Sequence, residues 1–218
     1  RVDYFFQPIV SARHGHVVAY EALMRPQLPT LRSPITVMQL ASEMGRLYDI
    51  EKLTFFRACE CYEELEAAGK LDADALIFVN SIASVSLSDE DWASYCEAHS
   101  AILPKLVVEI TEEEEMNERE LERKRNVPGA TGVFALDDYG SGYSNGNSLL
   151  TVAPKYVKVD IAIIQGIDTD ADKQQFLRAL IDYAHPRGVQ VLAEGVETLS
   201  ELRKVLEMGV DLLQGYRL

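Results

Sequence analysis

The chain has 218 residues, 47% of them hydrophobic, which is enough for one large core or two small ones. Its formal net charge of -14 and its lack of basic runs exclude a groove for polymeric nucleic acid, because long-range repulsion opposes a polyanion. No apolar run approaches the roughly 20 residues that cross a bilayer, and the start RVDYFFQPIV has no signal-peptide order, so a single cytoplasmic domain without membrane contact is expected.

Short apolar, β-branched runs predict strands at Tyr4–Val10, Val17–Ala22, Leu76–Asn80, Leu106–Ile110, Gly132–Asp137, Tyr156–Asp160, Val189–Ala193 and Leu212–Gly215. Only Ser11–His16 separate the first two, too short for a parallel crossover, so that pair is expected to be antiparallel. Helical patterns fill most later gaps. Cys59 and Cys61 fall in one of them and, like Cys96, make no CxxC pair, which predicts buried or idle thiols. Ser88 before Asp89, Glu90 and Asp91 predicts an N-cap with acids at the positive end of the helix dipole. Thr111-Glu112-Glu113-Glu114 fits a capping box, so this acidic run reads first as the start of a solvated helix. Asp172–Arg187 sets Phe176, Leu177, Leu180, Ile181 and Ala184 on one helical face. Thr198-Leu199-Ser200-Glu201 predicts another capping box, with Gly209 as the left-handed stop. Strand and helix in alternation imply parallel pairing, and this many strands in so short a chain favours an irregular α/β barrel.

Polar residues gather at the predicted strand ends: Glu21, Asn80, Glu109, Asp137 with Asp138, Lys158 with Asp160, Glu194 and Gln214. In a parallel barrel those ends form the active face. Any one of these acids would be explained as a helix cap or a solvated charge. Together, the carboxylates of Glu21, Glu109, Asp137, Asp138 and Glu194 would repel one another unless neutralised, and an oxygen-rich set suits Mg²⁺, Mn²⁺ or Ca²⁺. Adjacent Asp137 and Asp138 could serve two ions, the arrangement that activates water and stabilises a leaving oxygen. Strand alternation points Lys158 and Asp160 to the same side, where Lys158 would orient water or offset phosphoryl charge. Arg25 is a candidate phosphate clamp, its planar fork matching phosphate oxygens. The histidines show no ligand spacing, which argues against zinc.

With FFQPIV, YEALMR, FVNSI, VEITE, LDDYGSGYS, KVD, AEGVET and QGY in this order, nearly the whole chain resembles the EAL domains, bacterial phosphodiesterases specific for cyclic di-GMP. The resemblance implies a TIM-like (β/α)8 barrel with the first strand antiparallel, spanning residues 1–218 as one domain of a larger protein that carries sensory or cyclase domains and leaves room for a membrane anchor elsewhere. It implies two ions, Mg²⁺ or Mn²⁺, one held by Glu21, Asn80, Glu109 and Asp137, the other by Asp137, Asp138 and Glu194, with Ca²⁺ inhibiting. Lys158, Glu194 and Glu21 would be catalytic; Gln7, Arg25, Asp160, Glu197 and Gln214 would line the substrate or support the site; Glu112 would anchor the loop after Asp138. The implied reaction is attack of activated water on one phosphorus, opening cyclic di-GMP to linear 5′-pGpG without a covalent enzyme intermediate. A homodimer formed around the Asp137–Ser144 loop is implied as well.

The chain departs from the family pattern at Tyr139 for Phe, Ser141 for Thr, and Asn145-Gly146 for Ser-Leu; the last adds turn propensity just past the loop. The alternative within the family is a catalytically silent cyclic di-GMP receptor, which usually lacks ligands or the lysine that are present here. Barrel analogy alone offers a Mg²⁺-dependent lyase or isomerase with Lys158 as base.

Overall fold

The computed structural model describes residues 2–27, 33–111, 117–141 and 147–215. Its strands are β1 (Val2–Ser11), β2 (Val17–Pro26), β3 (Leu76–Asn80), β4 (Leu106–Thr111), β5 (Val133–Tyr139), β6 (Tyr156–Val159), β7 (Gln190–Ala193) and β8 (Leu212–Leu213). They are hydrogen-bonded in chain order and β8 returns to β1, closing an α/β barrel. β1 runs antiparallel to β8, with Val10 opposite Leu213, whereas the β2–β3, β3–β4, β5–β6, β6–β7 and β7–β8 pairs are parallel. The expected TIM-like fold with a reversed first strand is therefore the observed one. Its cause is local: the connection after β1 is a tight hairpin in which Ser11 N–H donates to the His16 carbonyl at 2.9 Å, and Gly15 turns at φ 69°.

The helices are α1 (Pro34–Glu43), α2 (Leu47–Ala67), α3 (Asp89–Ala98), α4 (Glu118–Arg125), α5 (Asn147–Val152), α6 (Ile161–Ile164), α7 (Ala171–Ala184) and α8 (Leu199–Met208). None among the described residues is long and apolar enough to cross a membrane. The contacts divide the chain into two compact units. The first comprises Arg1–Gln7, Ala19–Glu109 and Glu114–Val133. In it, α2 buries Phe55, Ala58, Cys59 and Tyr62, residues one helical turn apart, and Phe55 packs edge-on against Trp92 and Tyr95 of α3 at 5.1 and 5.6 Å. Cys59 and Cys61 are buried and all three cysteines are free; burial pushes the Cys59 thiol up to about 12, so it is inert at neutral pH. Ser88 caps α3 as expected, its hydroxyl accepting from Asp91 N–H at 3.1 Å. The capping box expected at Thr111 is not what starts α4. Thr111 ends β4, and α4 is capped by the Asn117 side chain, which accepts from Arg119 and Glu120 N–H. The glutamates between them lie outside the described residues.

The second unit comprises Pro8–Val18, Ile110–Glu113 and Phe134–Leu218. Its core joins Val157, Val159 and Val191 from the strands to Leu177, Leu180, Ile181 and Ala184, the face expected of α7. α7 stops at Ala184, and a 3-10 turn covers His185–Arg187, because Pro186 cannot continue the helical ladder. The capping box of α8 is present in full, and Gly209 takes the left-handed stop at φ 89°. Glu201 does more than close that box: Oε1 accepts Gly166 N–H at 2.8 Å, while Oε2 accepts Thr198 and Glu197 N–H at 2.9 and 3.1 Å. Burial opposes its charge, but these backbone donors together hold the carboxyl below the ordinary 4.5. A depressed carboxyl stabilises the fold above its unfolded value and loses that contribution as the pH falls through the folded one. Glu201→Gln should therefore melt below the parent protein at pH 7, with the gap closing as the pH drops under about 4.5. A gap in melting temperature unchanged down to pH 3 by calorimetry would contradict this.

Candidate metal centre

Three of the expected ligands meet in the first unit. Glu21 lies within β2, opposite Phe78, and not at the strand's end as expected, because β2 continues to Pro26. Asn80 ends β3 and pairs in register with Glu109 of β4. Glu21 and Glu109 are 6% and 1% exposed and offer carboxylate oxygens within 4.8 Å of one another. Asn80 bridges them, its Nδ2 donating to Glu21 Oε1 at 3.4 Å and to Glu109 Oε2 at 3.2 Å. Turning the carboxamide about its last torsion would present its carbonyl oxygen instead, the atom a hard cation takes. Two buried carboxylates this close repel unless a positive charge is shared between them, so the donor set fits a divalent cation with oxygen preference.

The second unit holds the other group. Asp137 and Asp138 are consecutive in β5, and regular alternation would send their side chains to opposite faces. The pairing with β6 shifts register between Leu136 and Tyr139, and Asp138 has φ 54°. This bulge turns both carboxylates the same way, so that Asp137, Asp138 and Glu194 all offer an oxygen within 4.8 Å. Glu194 follows β7 directly, its N–H donating to the Val159 carbonyl at 3.2 Å. Lys158 of β6 is completely buried, with Nζ 2.8 Å from Asp137 and 2.9 Å from Glu194. The sequence set Lys158 and Asp160 on the same side of the strand; in the structure Lys158 pairs with these two carboxylates. Asp160 instead caps α6, accepting Ala162 N–H at 2.7 Å.

Of the remaining candidates, Gln214 is 3% exposed and follows β8, its N–H donating to the Ala193 carbonyl. Glu197 is exposed after β7, and Gln7 is half-buried in β1. Arg25 is also half-buried; its guanidinium lies 5.4 Å from the Phe5 ring centre and donates to the Met24 carbonyl at 2.9 Å. Glu112 lies outside the described residues, as do Ser144 and Asn145-Gly146.

Gly195, next to Glu194, has φ 64°, and a Cβ built there would stand 2.3 Å from Ile161 Cγ1. Gly195→Ala thus combines overpacking with a left-handed strain, together about 2–4 kcal/mol. Urea unfolding is expected to show that loss. Unchanged unfolding would contradict the packing account.

A sequence model of the EAL domain matches residues 1–218. The cyclic di-GMP phosphodiesterase NbdA of Pseudomonas aeruginosa is 30% identical over 226 residues, covering 99% of this chain and 28% of that protein. Among solved structures, the PaMucR phosphodiesterase in complex with c-di-GMP is 25% identical with a TM-score of 0.82, covering 98% of this chain and 89% of that one. Klebsiella pneumoniae BlrP1 with manganese and cy-diGMP is also 25% identical at a TM-score of 0.82, covering 99% of this chain and 54% of that one. The chain spans less than half the length of the curated relatives that it matches. On the match along its whole length, this chain belongs to the EAL domain family.

Proposed function

We propose that this domain is a phosphodiesterase that opens cyclic di-GMP to linear 5′-pGpG, using two divalent cations, Mg²⁺ or Mn²⁺. The observation that carries the reading is buried Lys158 held between Asp137 and Glu194, in a chain whose acids form two oxygen-only clusters. Glu21, Asn80 and Glu109 would hold one ion; Asp138 and Glu194 would hold the other; Asp137 would serve both. Bound there, the ions would supply the charge that activates water and offsets the leaving oxygen. The chain's own part is positional and electrostatic. Lys158 holds Asp137 and Glu194 in place, and its ammonium would hold water or a phosphoryl oxygen by a charge-assisted hydrogen bond. Arg25, already fixed against Phe5, would clamp a phosphate, while Gln7, Asp160, Glu197 and Gln214 would border the substrate. Water adds at one phosphorus, the P–O3′ bond breaks, and the departing 3′ oxygen takes up a proton.

The family match runs across both compact units, which supports reading residues 1–218 as one domain. A cytoplasmic location, a homodimer and fused domains elsewhere in the parent protein belong to the same proposal; the last is supported by how much longer the relatives are. Incubation with cyclic di-GMP and Mn²⁺ or Mg²⁺, followed by chromatography, tests the activity. Accumulation of pGpG that EDTA abolishes is the expected result. Tight binding of the nucleotide without turnover would make the domain a receptor and overturn the enzyme reading.

A further inference from the structure

Behind Asn80 stands an ion pair that the proposed reaction does not use. Glu51 of α2 and Lys124 of α4 are 1% and 2% exposed, and Lys124 Nζ lies 2.8 Å from Glu51 Oε1. The ammonium also donates to Ser81 Oγ at 2.6 Å and to the Ile82 carbonyl at 2.5 Å, which uses all of its protons. Ser81 Oγ donates to Glu51 Oε1 at 2.7 Å, and Ile82 N–H donates to Glu51 Oε2 at 2.9 Å. Ser81 and Ile82 are the two residues that follow Asn80. Ser81 N–H in turn donates to the carbonyl of Glu109 at 2.9 Å, so the same short segment is tied to both Asn80 and Glu109, two of the three residues of the first ligand group. At the far end of the segment, Arg123, the neighbour of Lys124, donates to the Leu87 carbonyl at 2.9 Å.

Burying two charges costs several kcal/mol per ion, and an apolar pair of equal volume is often as stable or more so. Stability therefore gives no reason to prefer charges here. What Glu51 and Lys124 do, and apolar side chains could not, is grip a backbone N–H, a backbone carbonyl and a hydroxyl from two helices at once. We infer that Glu51 and Lys124 are positioning residues: they fix Ser81 and Ile82, and through them the Asn80 carboxamide between Glu21 and Glu109, in the geometry that takes one of the two cations. The inference rests on the metal site proposed above and adds residues to it that touch neither ion nor substrate.

The test is Glu51→Met/Lys124→Met in the full chain, which replaces both charges by unbranched apolar side chains. The melting temperature should stay near the parent value, while Mn²⁺ affinity measured by calorimetry falls about 10–100-fold. Without metal, the Asn80 side-chain amide signals in ¹⁵N spectra, identified with Asn80→Asp, should shift while those of distant asparagines stay. If the Asn80 signals and the Mn²⁺ affinity both match the parent, the pair is only structural and the inference is overturned. Should the parent itself bind no Mn²⁺, the metal reading fails separately, and the metal-free Asn80 signals still decide whether the pair positions that side chain. If the double variant does not fold, Ser81→Ala removes the hydroxyl that joins the pair to the segment: shifted Asn80 signals at a retained fold support the inference, and unshifted ones overturn it.

Discussion

Lys158→Met is expected to lower the proposed turnover of cyclic di-GMP by about 10²–10³-fold, the loss that follows removal of one preorganised charged donor. Methionine keeps most of the volume of a side chain that is fully buried, so packing changes little and charge is what disappears. Asp137 and Glu194, whose side chains are 11% and 17% exposed, then face each other without the ammonium. Leaving one side of a buried pair uncompensated costs about 3–5 kcal/mol in the metal-free protein, at the lower end here because both carboxylates retain some solvent. A cation can take over the neutralising role, so Mn²⁺ should raise the melting temperature of the variant more than that of the parent. The result that separates chemistry from ligation is a fallen kcat with Mn²⁺ affinity undiminished. An unchanged kcat would remove Lys158 from the reaction.

Asp137→Ala is expected to weaken both of the proposed cations. Its carboxylate lies within 4.8 Å of ligand atoms from Asp138 and Glu194, and it is the residue proposed to join the second ion to the first. Losing that link takes away several kcal/mol of charge stabilisation, and at 1.36 kcal/mol per decade turnover falls by about 10³-fold or more. The same change releases Lys158 from its ion pair with Asp137, so metal-free stability should drop as well, whereas Asp160→Ala, which removes a cap of α6, should cost about 1 kcal/mol of stability. Formation of pGpG by Asp137→Ala, and urea unfolding of both variants, check this. Unchanged turnover in Asp137→Ala, with unfolding no different from Asp160→Ala, would argue that strand-end carboxylates are interchangeable supports and not a ligand set.

Much of this architecture was legible because its cause is local. The alternation of strand and helix, the short hairpin after β1 and the capping box at Thr198 all depend on residues near in sequence, and each lies where expected. The acids were legible as a set because barrel topology gathers strand ends, even though Glu21 turned out to lie inside β2. What remained hidden depends on tertiary pairing. A bulge at Asp137-Asp138 leaves no mark in composition beyond an aspartate that tolerates φ > 0°, so two adjacent carboxylates on one side could not be derived from alternation. The pairing of Lys158 with Asp137 and Glu194 was hidden for the same reason: alternation gives the side of the strand, not the partner across it. Glu51 was passed over although a signal existed. It precedes buried Phe55, Ala58, Cys59 and Tyr62 at helical spacing, and a charge on an apolar face calls for a buried partner.

The proposed reaction needs two cations bound as a pair. Mn²⁺ binding to the chain in the presence of cyclic di-GMP, followed by electron paramagnetic resonance, measures that directly. Two ions about 3.5–4 Å apart should give the spectrum of a magnetically coupled pair, which Asp137→Ala converts to that of isolated Mn²⁺. A spectrum of isolated ions in the parent chain, at full occupancy, would contradict the proposed pair.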